Sequence, residues 1–240
     1  MTTCTNCNQA FNNNYCGSCG QAAKLKRIDG KYVLHEIIHV LHLEKGILYT
    51  IRELLLRPGK SVREYISENR TRLVKPVIFV IVASLIYTVI SHWFHGSENE
   101  VSHQKQPEAV TAIFEWISHH FGYANMMMGV FIALWLKVFF RKQPFNFFEV
   151  LILLCFVMGM GMLLLALLSL IGNLSGYHLS PVADTISIIY CSWAIGQFFN
   201  PSKVGSYLKA FCAYSLGMLT FYTLVTLIAI LAAVLQQLIR

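Results

Sequence analysis

The chain divides at residues 57–76, which read RPGKSVREYISENRTRLVKP. This stretch carries six basic residues against two acidic ones, and the sequence turns from polar to strongly apolar directly behind it. A basic segment next to a membrane-length apolar run is typical of the cytoplasmic end of a membrane span. The stretch therefore predicts a membrane protein whose N-terminal region lies in the cytoplasm.

The composition supports this interpretation. Of the 240 residues, 55% are hydrophobic and 13% are charged, whereas soluble proteins average about 45–50% and about 25%. The apolar excess lies after residue 76 in runs long enough to span a bilayer. We expect an all-α polytopic membrane protein, with five transmembrane helices preceded by amphipathic interfacial helices and a small N-terminal zinc knuckle. The expected five-helix bundle covers residues 76–240, with spans at about 77–94, 123–140, 147–171, 182–199 and 207–239.

The net charge of +7 is concentrated ahead of the membrane, because most Lys and Arg residues lie between Lys24 and Lys75. Nucleic acid is one partner for such a segment, but its position favours anionic lipid headgroups, at about 1 kcal/mol per basic residue. The predicted partner is thus a bilayer with anionic headgroups and no nucleic acid; a homo-oligomer is left open. The predicted headgroup-binding residues are Arg57, Lys60, Arg63, Arg70, Arg72 and Lys75.

Four of the seven cysteines occur as two CxxC pairs within residues 1–22. Four thiolates from two such turns satisfy tetrahedral Zn²⁺, which would be structural because no ligand position stays open for a substrate. The alternative is a pair of disulfides, which a reducing cytoplasm disfavours. The first residues contain no basic segment leading into an apolar one, so no cleavable signal peptide is expected. The predicted ligands are Cys4, Cys7, Cys16 and Cys19.

Residues 23–31 form a basic linker, and residues 32–75 follow with helical amphipathic periodicity. We expect cytoplasmic helices on the membrane surface, broken at Pro58-Gly59 and continuing over 61–72, with Tyr65 and Ile66 on the buried side. A further metal site at His35, His39 and His42, or among the histidines near the outer side, is an open alternative to solvated imidazoles.

Lys and Arg residues mark alternate loops. They occur in the N-terminal region and in the loops at 141–142 and 200–209, whereas the loops at 95–121 and 172–181 are poor in them. Because cytoplasmic loops carry the excess of Lys and Arg, we expect the N-terminus in the cytoplasm and the C-terminus outside it.

Two motifs resemble an uncharacterised bacterial membrane-protein family, a domain of unknown function with an N-terminal CxxC…YCxxCGQ zinc ribbon and an RPG…REYI juxtamembrane motif. Glu68-Asn69 and Asn8 depart from that pattern. The resemblance implies the bacterial inner membrane and transfers no activity. The five-helix topology is also similar to that of Yip-type membrane proteins. The matching positions are Cys4, Cys7, Tyr15, Cys16, Cys19, Gly20, Gln21, Arg57, Pro58, Gly59, Arg63, Glu64, Tyr65, Ile66, Arg70 and Pro76.

No catalytic motif is present in the sequence, and the middles of the apolar runs contain no ionisable residue. Lys137, Glu149 and Asp184 lie near run ends, where side chains reach the interface. We therefore expect a non-enzymatic membrane scaffold or adaptor whose zinc knuckle recruits a cytoplasmic protein. The alternative is a permease or channel for a lipid or small solute through the bundle.

Overall fold

A computed structural model of the protein describes residues 2–4, 7, 9–12, 14, 17–19, 46–68, 70, 72–95, 113, 116–117, 121–176 and 179–239. The chain forms two compact units, Met1–Glu44 and Lys45–Arg240. The predicted linker at 23–31, Cys16 and the three histidines at 35, 39 and 42 lie outside the described residues.

The first unit contains a short antiparallel ribbon. Strand β1 (Thr2–Thr3) pairs with strand β2 (Ala10–Phe11), so that Thr2 lies opposite Phe11 and Thr3 opposite Ala10. The Cys4 amide donates to the carbonyl oxygen of Gln9 at 2.9 Å. This bond closes the loop that carries the first CxxC pair and places Cys4 in the interior of the ribbon turn, where it is 2% exposed.

The second unit begins with two short helices, α1 (Ile47–Leu56) and α2 (Pro58–Ser67). Arg57 separates them in a non-helical conformation, and Pro58 occupies the first turn of α2. A proline there loses no hydrogen bond, because the first amides of a helix are unpaired. The predicted break is confirmed, although α2 begins at the proline itself and ends earlier than the predicted 61–72.

Five long helices follow and complete the second unit. They are α3 (Pro76–His95), α4 (Phe121–Phe139), α5 (Phe147–Ser175), α6 (Ser180–Phe199) and α7 (Val204–Ile239). A reciprocal capping box between Asn146 and Glu149 defines the start of α5, and Gly176 ends it in the left-handed conformation at φ 72°.

Helix α5 is the central element of the bundle. It contacts α3, α4 and α6, while α7 packs between α4 and α6 and closes a four-helix ring. Helices α1 and α2 also pack on this bundle, mainly through α2 against α6, and do not lie apart from it. Tyr65 of α2 is buried and its ring meets Phe156 of α5 edge to face at 5.3 Å, which confirms the predicted inward side of α2.

Each of α3 to α7 contains a segment long and apolar enough to cross a membrane. Their outer surfaces carry large apolar side chains such as Trp93 (79% exposed), Leu208 (65%) and Leu227 (64%). Exposed apolar surface of this extent is stable next to hydrocarbon and not next to water. A candidate span is thus found for each of the five predicted ones, and all five helices extend beyond the predicted bounds at one end or both, most at the end of α5 and the start of α7.

Candidate metal centre and juxtamembrane joint

Three of the four predicted metal ligands lie together in the structure. The sulfur atoms of Cys4, Cys7 and Cys19 are all within 4.8 Å of one another. The Cys4 and Cys19 sulfurs are 3.5 Å apart, well beyond the roughly 2.05 Å of a disulfide bond. The Ser18 hydroxyl donates to the side-chain oxygen of Gln9 and so joins the segments that carry the two CxxC pairs.

This thiol cluster fits a tetrahedral zinc ion. Zinc–sulfur bonds of about 2.3 Å at tetrahedral angles separate the sulfurs by about 3.8 Å, close to the 3.5 Å between the Cys4 and Cys19 sulfurs and within the 4.8 Å that contains all three. Cys4 is buried while Cys7 and Cys19 are exposed, so the ion would lie at the surface of the first unit. The described thiols occupy three positions, and the fourth predicted ligand, Cys16, is outside the described residues.

Glu53 is the polar centre of the joint between α1 and α2. Its carboxylate accepts from Arg57 Nε at 2.9 Å, from Arg57 Nη2 at 3.0 Å and from Ser61 Oγ at 3.0 Å, and the residue is 6% exposed. The hydrogen bonds from Arg57 hold the pKa of Glu53 below its usual value. A buried carboxylate requires such partners, so the Arg57 charge stabilises the joint.

The RPG motif contacts the end of α6. The Gly59 amide donates to Gln197 Oε1 at 2.7 Å, and Arg63 donates to the carbonyl oxygens of Phe198 at 2.5 Å and Gln197 at 3.0 Å. The last carbonyls of a helix have no partner within the helix and carry its negative dipole end. The Arg63 guanidinium donates hydrogen bonds to these carbonyls and places a positive charge at the negative end of the helix dipole. Burial lowers the pKa of Arg63 below the usual range.

Gly59 lies so close to α6 that no other residue fits. A Cβ at this position would be 2.4 Å from the carbonyl carbon of Gln197 and 2.4 Å from the amide nitrogen of Phe198. Both atoms are backbone and cannot rotate away. The glycine of the RPG motif is therefore required by the approach of α2 to α6, and its neighbour Arg63 depends on the same approach.

The remaining predicted headgroup residues divide into two groups. Arg72 donates to the Tyr49 hydroxyl at 2.6 Å and to Glu64 at 2.9 Å, and the bond to Tyr49 raises its pKa. Lys60 is 3.7 Å from Glu64 and stays largely exposed. Arg70 and Lys75 are exposed and form no ion pair within the described part of the chain. Headgroup binding by the six residues stays a prediction.

Two cavities formed by described residues of the second unit share the lining residues Asn125 and Met158. The larger, about 670 Å³, lies among α2, α3, α4 and α5. The smaller, about 340 Å³, lies among α4, α5, α6 and α7 and includes Asp184, the carboxylate that the sequence places near a run end. Lys137, also near a run end, donates to the carbonyl oxygen of Phe145 at 2.7 Å.

Several of these groups were missed by the sequence reasoning. Glu53 and Thr50 lie one helical turn apart on an otherwise apolar face, a signal that could have predicted buried polar contacts. Thr50 Oγ1 accepts from the Val74 amide at 3.1 Å. The Tyr190 hydroxyl donates to the Leu54 carbonyl at 2.9 Å and binds the end of α1 to α6. No sequence signal indicates that last pairing.

The five long apolar helices are those expected of a multi-pass membrane protein, and the thiol cluster is a cysteine-based candidate metal site. The family model described as Protein of unknown function (DUF3667) matches residues 44–88. This segment contains α1, α2 and the first part of α3, and thus the joint between α1 and α2 with Glu53, Arg57 and Arg63. The match supports the resemblance to an uncharacterised family. Comparisons with curated proteins and with solved structures find no match.

Proposed function

We propose that this chain is a non-enzymatic membrane scaffold whose N-terminal knuckle binds structural zinc and recruits a cytoplasmic protein partner. The observation that carries the proposal is the cluster of three cysteine sulfurs within 4.8 Å. Four-cysteine zinc sites are closed to substrates and commonly serve to hold a small fold together. A metal-held knuckle on the same chain as a membrane-spanning bundle therefore suits protein recruitment better than catalysis.

The test compares zinc content and partner capture in full-length protein purified in detergent. We expect Cys16→Ser and Cys19→Ser to remove about one equivalent of zinc and the captured partner. Membrane insertion should be kept, because each span is long and apolar enough to insert by its own composition. Cys212→Ser, in a span, is the matched control and keeps both. Unchanged zinc content and capture profiles in the two knuckle variants would rule the proposal out.

The scaffold is proposed to lie in the bacterial inner membrane with its N-terminus in the cytoplasm and its C-terminus outside. The Lys and Arg residues in the loops at 141–142 and 200–209 support this orientation. Single cysteines placed in those loops should resist an impermeant thiol reagent in intact cells, whereas one in the 172–181 loop should react. The reverse labelling pattern would contradict the orientation.

A second candidate is a permease or channel for a lipid or small solute. The two cavities favour it, because they share the lining residues Asn125 and Met158. Purified protein lacking residues 1–22 should then still transport in liposomes, because the path runs through the bundle. Absence of flux for both lipids and small solutes would exclude this candidate without affecting the scaffold proposal.

A further inference from the structure

The larger cavity is a groove on the side of the bundle, here called the lateral groove. It is formed by Tyr65 and Arg70 near the end of α2, Val77 of α3, Val130 of α4, and Phe148 and Glu149 of α5. Its volume of about 670 Å³ is within the roughly 300–1,000 Å³ of sites for small molecules. Apart from Arg70, Glu149, the Tyr65 hydroxyl and Asn125, its walls are apolar.

The groove opens toward the bilayer. Val77, Val130 and Phe148 line it and are 53%, 41% and 73% exposed, and all three belong to membrane-spanning segments. At this depth the surrounding solvent is hydrocarbon chains, and an apolar groove filled with water would be unfavourable. A lipid acyl chain is therefore the occupant that the position of the groove requires.

Two opposite charges line the groove, Arg70 just after α2 and Glu149 in the first turn of α5. Arg70 is exposed and unpaired among the described residues. Arg57, Arg63 and Arg72, by contrast, donate hydrogen bonds to other groups of the protein. Glu149 uses Oε2 to accept from the Asn146 amide at 2.7 Å in the capping box of α5. The other carboxylate oxygen of Glu149 accepts no hydrogen bond from another described residue.

These two charges are opposite in sign to the phosphate and the ammonium of a zwitterionic headgroup. A phosphodiester can bind the planar guanidinium of Arg70, and a primary ammonium can donate to the carboxylate of Glu149. A glycerol headgroup would satisfy Arg70 and can donate hydroxyl hydrogen bonds to Glu149, but it carries no positive charge to offset that carboxylate. A choline headgroup has no N–H to donate to the carboxylate.

We propose that the lateral groove is a specific site for one phosphatidylethanolamine molecule, with an acyl chain in the groove, its phosphate on Arg70 and its ammonium on Glu149. The headgroup supplies the selectivity, because an acyl chain gains little when it exchanges bilayer hydrocarbon for an apolar groove. The site is independent of zinc and of partner recruitment, so it stands even if the scaffold proposal fails.

The experiment measures retained lipid by native mass spectrometry after exchange of the full chain into mixtures of ethanolamine, choline and glycerol phospholipids with matched chains. The unaltered protein should retain ethanolamine lipid in preference to the other two. Arg70→Gln should weaken retention of all three by roughly fivefold, the factor for one interfacial charge. Glu149→Gln should remove the preference for ethanolamine over glycerol lipid, while glutamine can keep the capping box of α5.

Occupation of the groove itself is tested by filling it. Val130→Trp should abolish selective retention, whereas Val138→Trp, the same substitution at a 62% exposed position on the same helix outside the groove, should not. Both positions face lipid, so neither change should disturb packing. Equal retention in the two tryptophan variants, or no headgroup preference in the unaltered protein, would overturn the proposal.

Discussion

Substitution of Gly59 by alanine should separate α2 from α6 and unfold the joint at lower temperature. The new Cβ would lie 2.4 Å from backbone atoms of α6, whereas ordinary contact begins at 3.4 Å, so α2 must retreat by about 1 Å. The Gly59 bond to Gln197, now 2.7 Å, would lengthen to about 3.7 Å, beyond hydrogen-bond range. The two Arg63 bonds, at 2.5 and 3.0 Å, depend on the same approach.

The size of the effect follows from these three bonds. A neutral hydrogen bond contributes about 1 kcal/mol and a bond to a charged group about 1.5–3 kcal/mol. The long Arg63 side chain can extend and so compensate for part of the displacement of α2. The lower figure, about 1.5 kcal/mol, therefore applies to each of its two bonds. Alanine recovers up to about 1 kcal/mol over glycine in a helix. The expected net loss is about 3 kcal/mol, or roughly 6–12 °C in melting temperature for a unit of this size.

The assay is thermal melting of purified protein in lipid nanodiscs, with Gly205→Ala as the matched control. Gly205 occupies the same second helical position in α7 as Gly59 does in α2, and a Cβ there meets no atom within 4 Å. The control should melt at the unaltered temperature or slightly above it. If the Gly59 variant melts within a degree or so of the control, the close approach does not stabilise the joint.

Three further predictions concern other contacts. The ion pair with Arg57 lowers the pKa of Glu53 below its usual 4.5. The stability that this pair contributes is therefore complete above about pH 4.5 and is lost as the pH falls through the folded-state pKa of Glu53. Glu53→Gln should therefore lower the melting temperature at neutral pH and flatten its fall in acid; an unchanged acid profile would contradict this. Cys7→Ser should release bound zinc, measured by elemental analysis, and full retention would exclude Cys7 as a ligand. A Cβ on Gly217 would be 2.6 Å from the Ile132 Cα, so Gly217→Ala should destabilise the packing of α4 on α7, and an unchanged melting temperature would refute that.

The membrane architecture could be predicted because the relevant signals are local. A helix of about 20 apolar residues partitions into a bilayer by its own composition, with its backbone bonds satisfied internally. The break at Pro58 is equally local, since a proline fixes its own φ and lacks an amide proton. The pairing of CxxC turns likewise indicated a thiol cluster, and three of its four members are observed together.

The basic stretch at residues 57–76 has contacts that could not be predicted from the local sequence. Its charge predicts lipid contact for all six basic residues, which stays a prediction, and the contact of Arg63 with the carbonyl groups of residues 197 and 198 was not predicted. Whether a basic side chain meets a phosphate or a helix end depends on which helix lies beside it. That helix is more than 130 residues away along the chain.

The sequence by itself determined five membrane spans, a break before the first of them and a cluster of thiols, because each follows from hydropathy, backbone geometry or ligand spacing within a short segment. The tertiary structure alone decided that α2 packs on α6, that Gly59 cannot carry a side chain, and that α3, α4 and α5 leave a groove. These features arise from contacts between helices distant in sequence, and such contacts depend on the packing of the whole bundle.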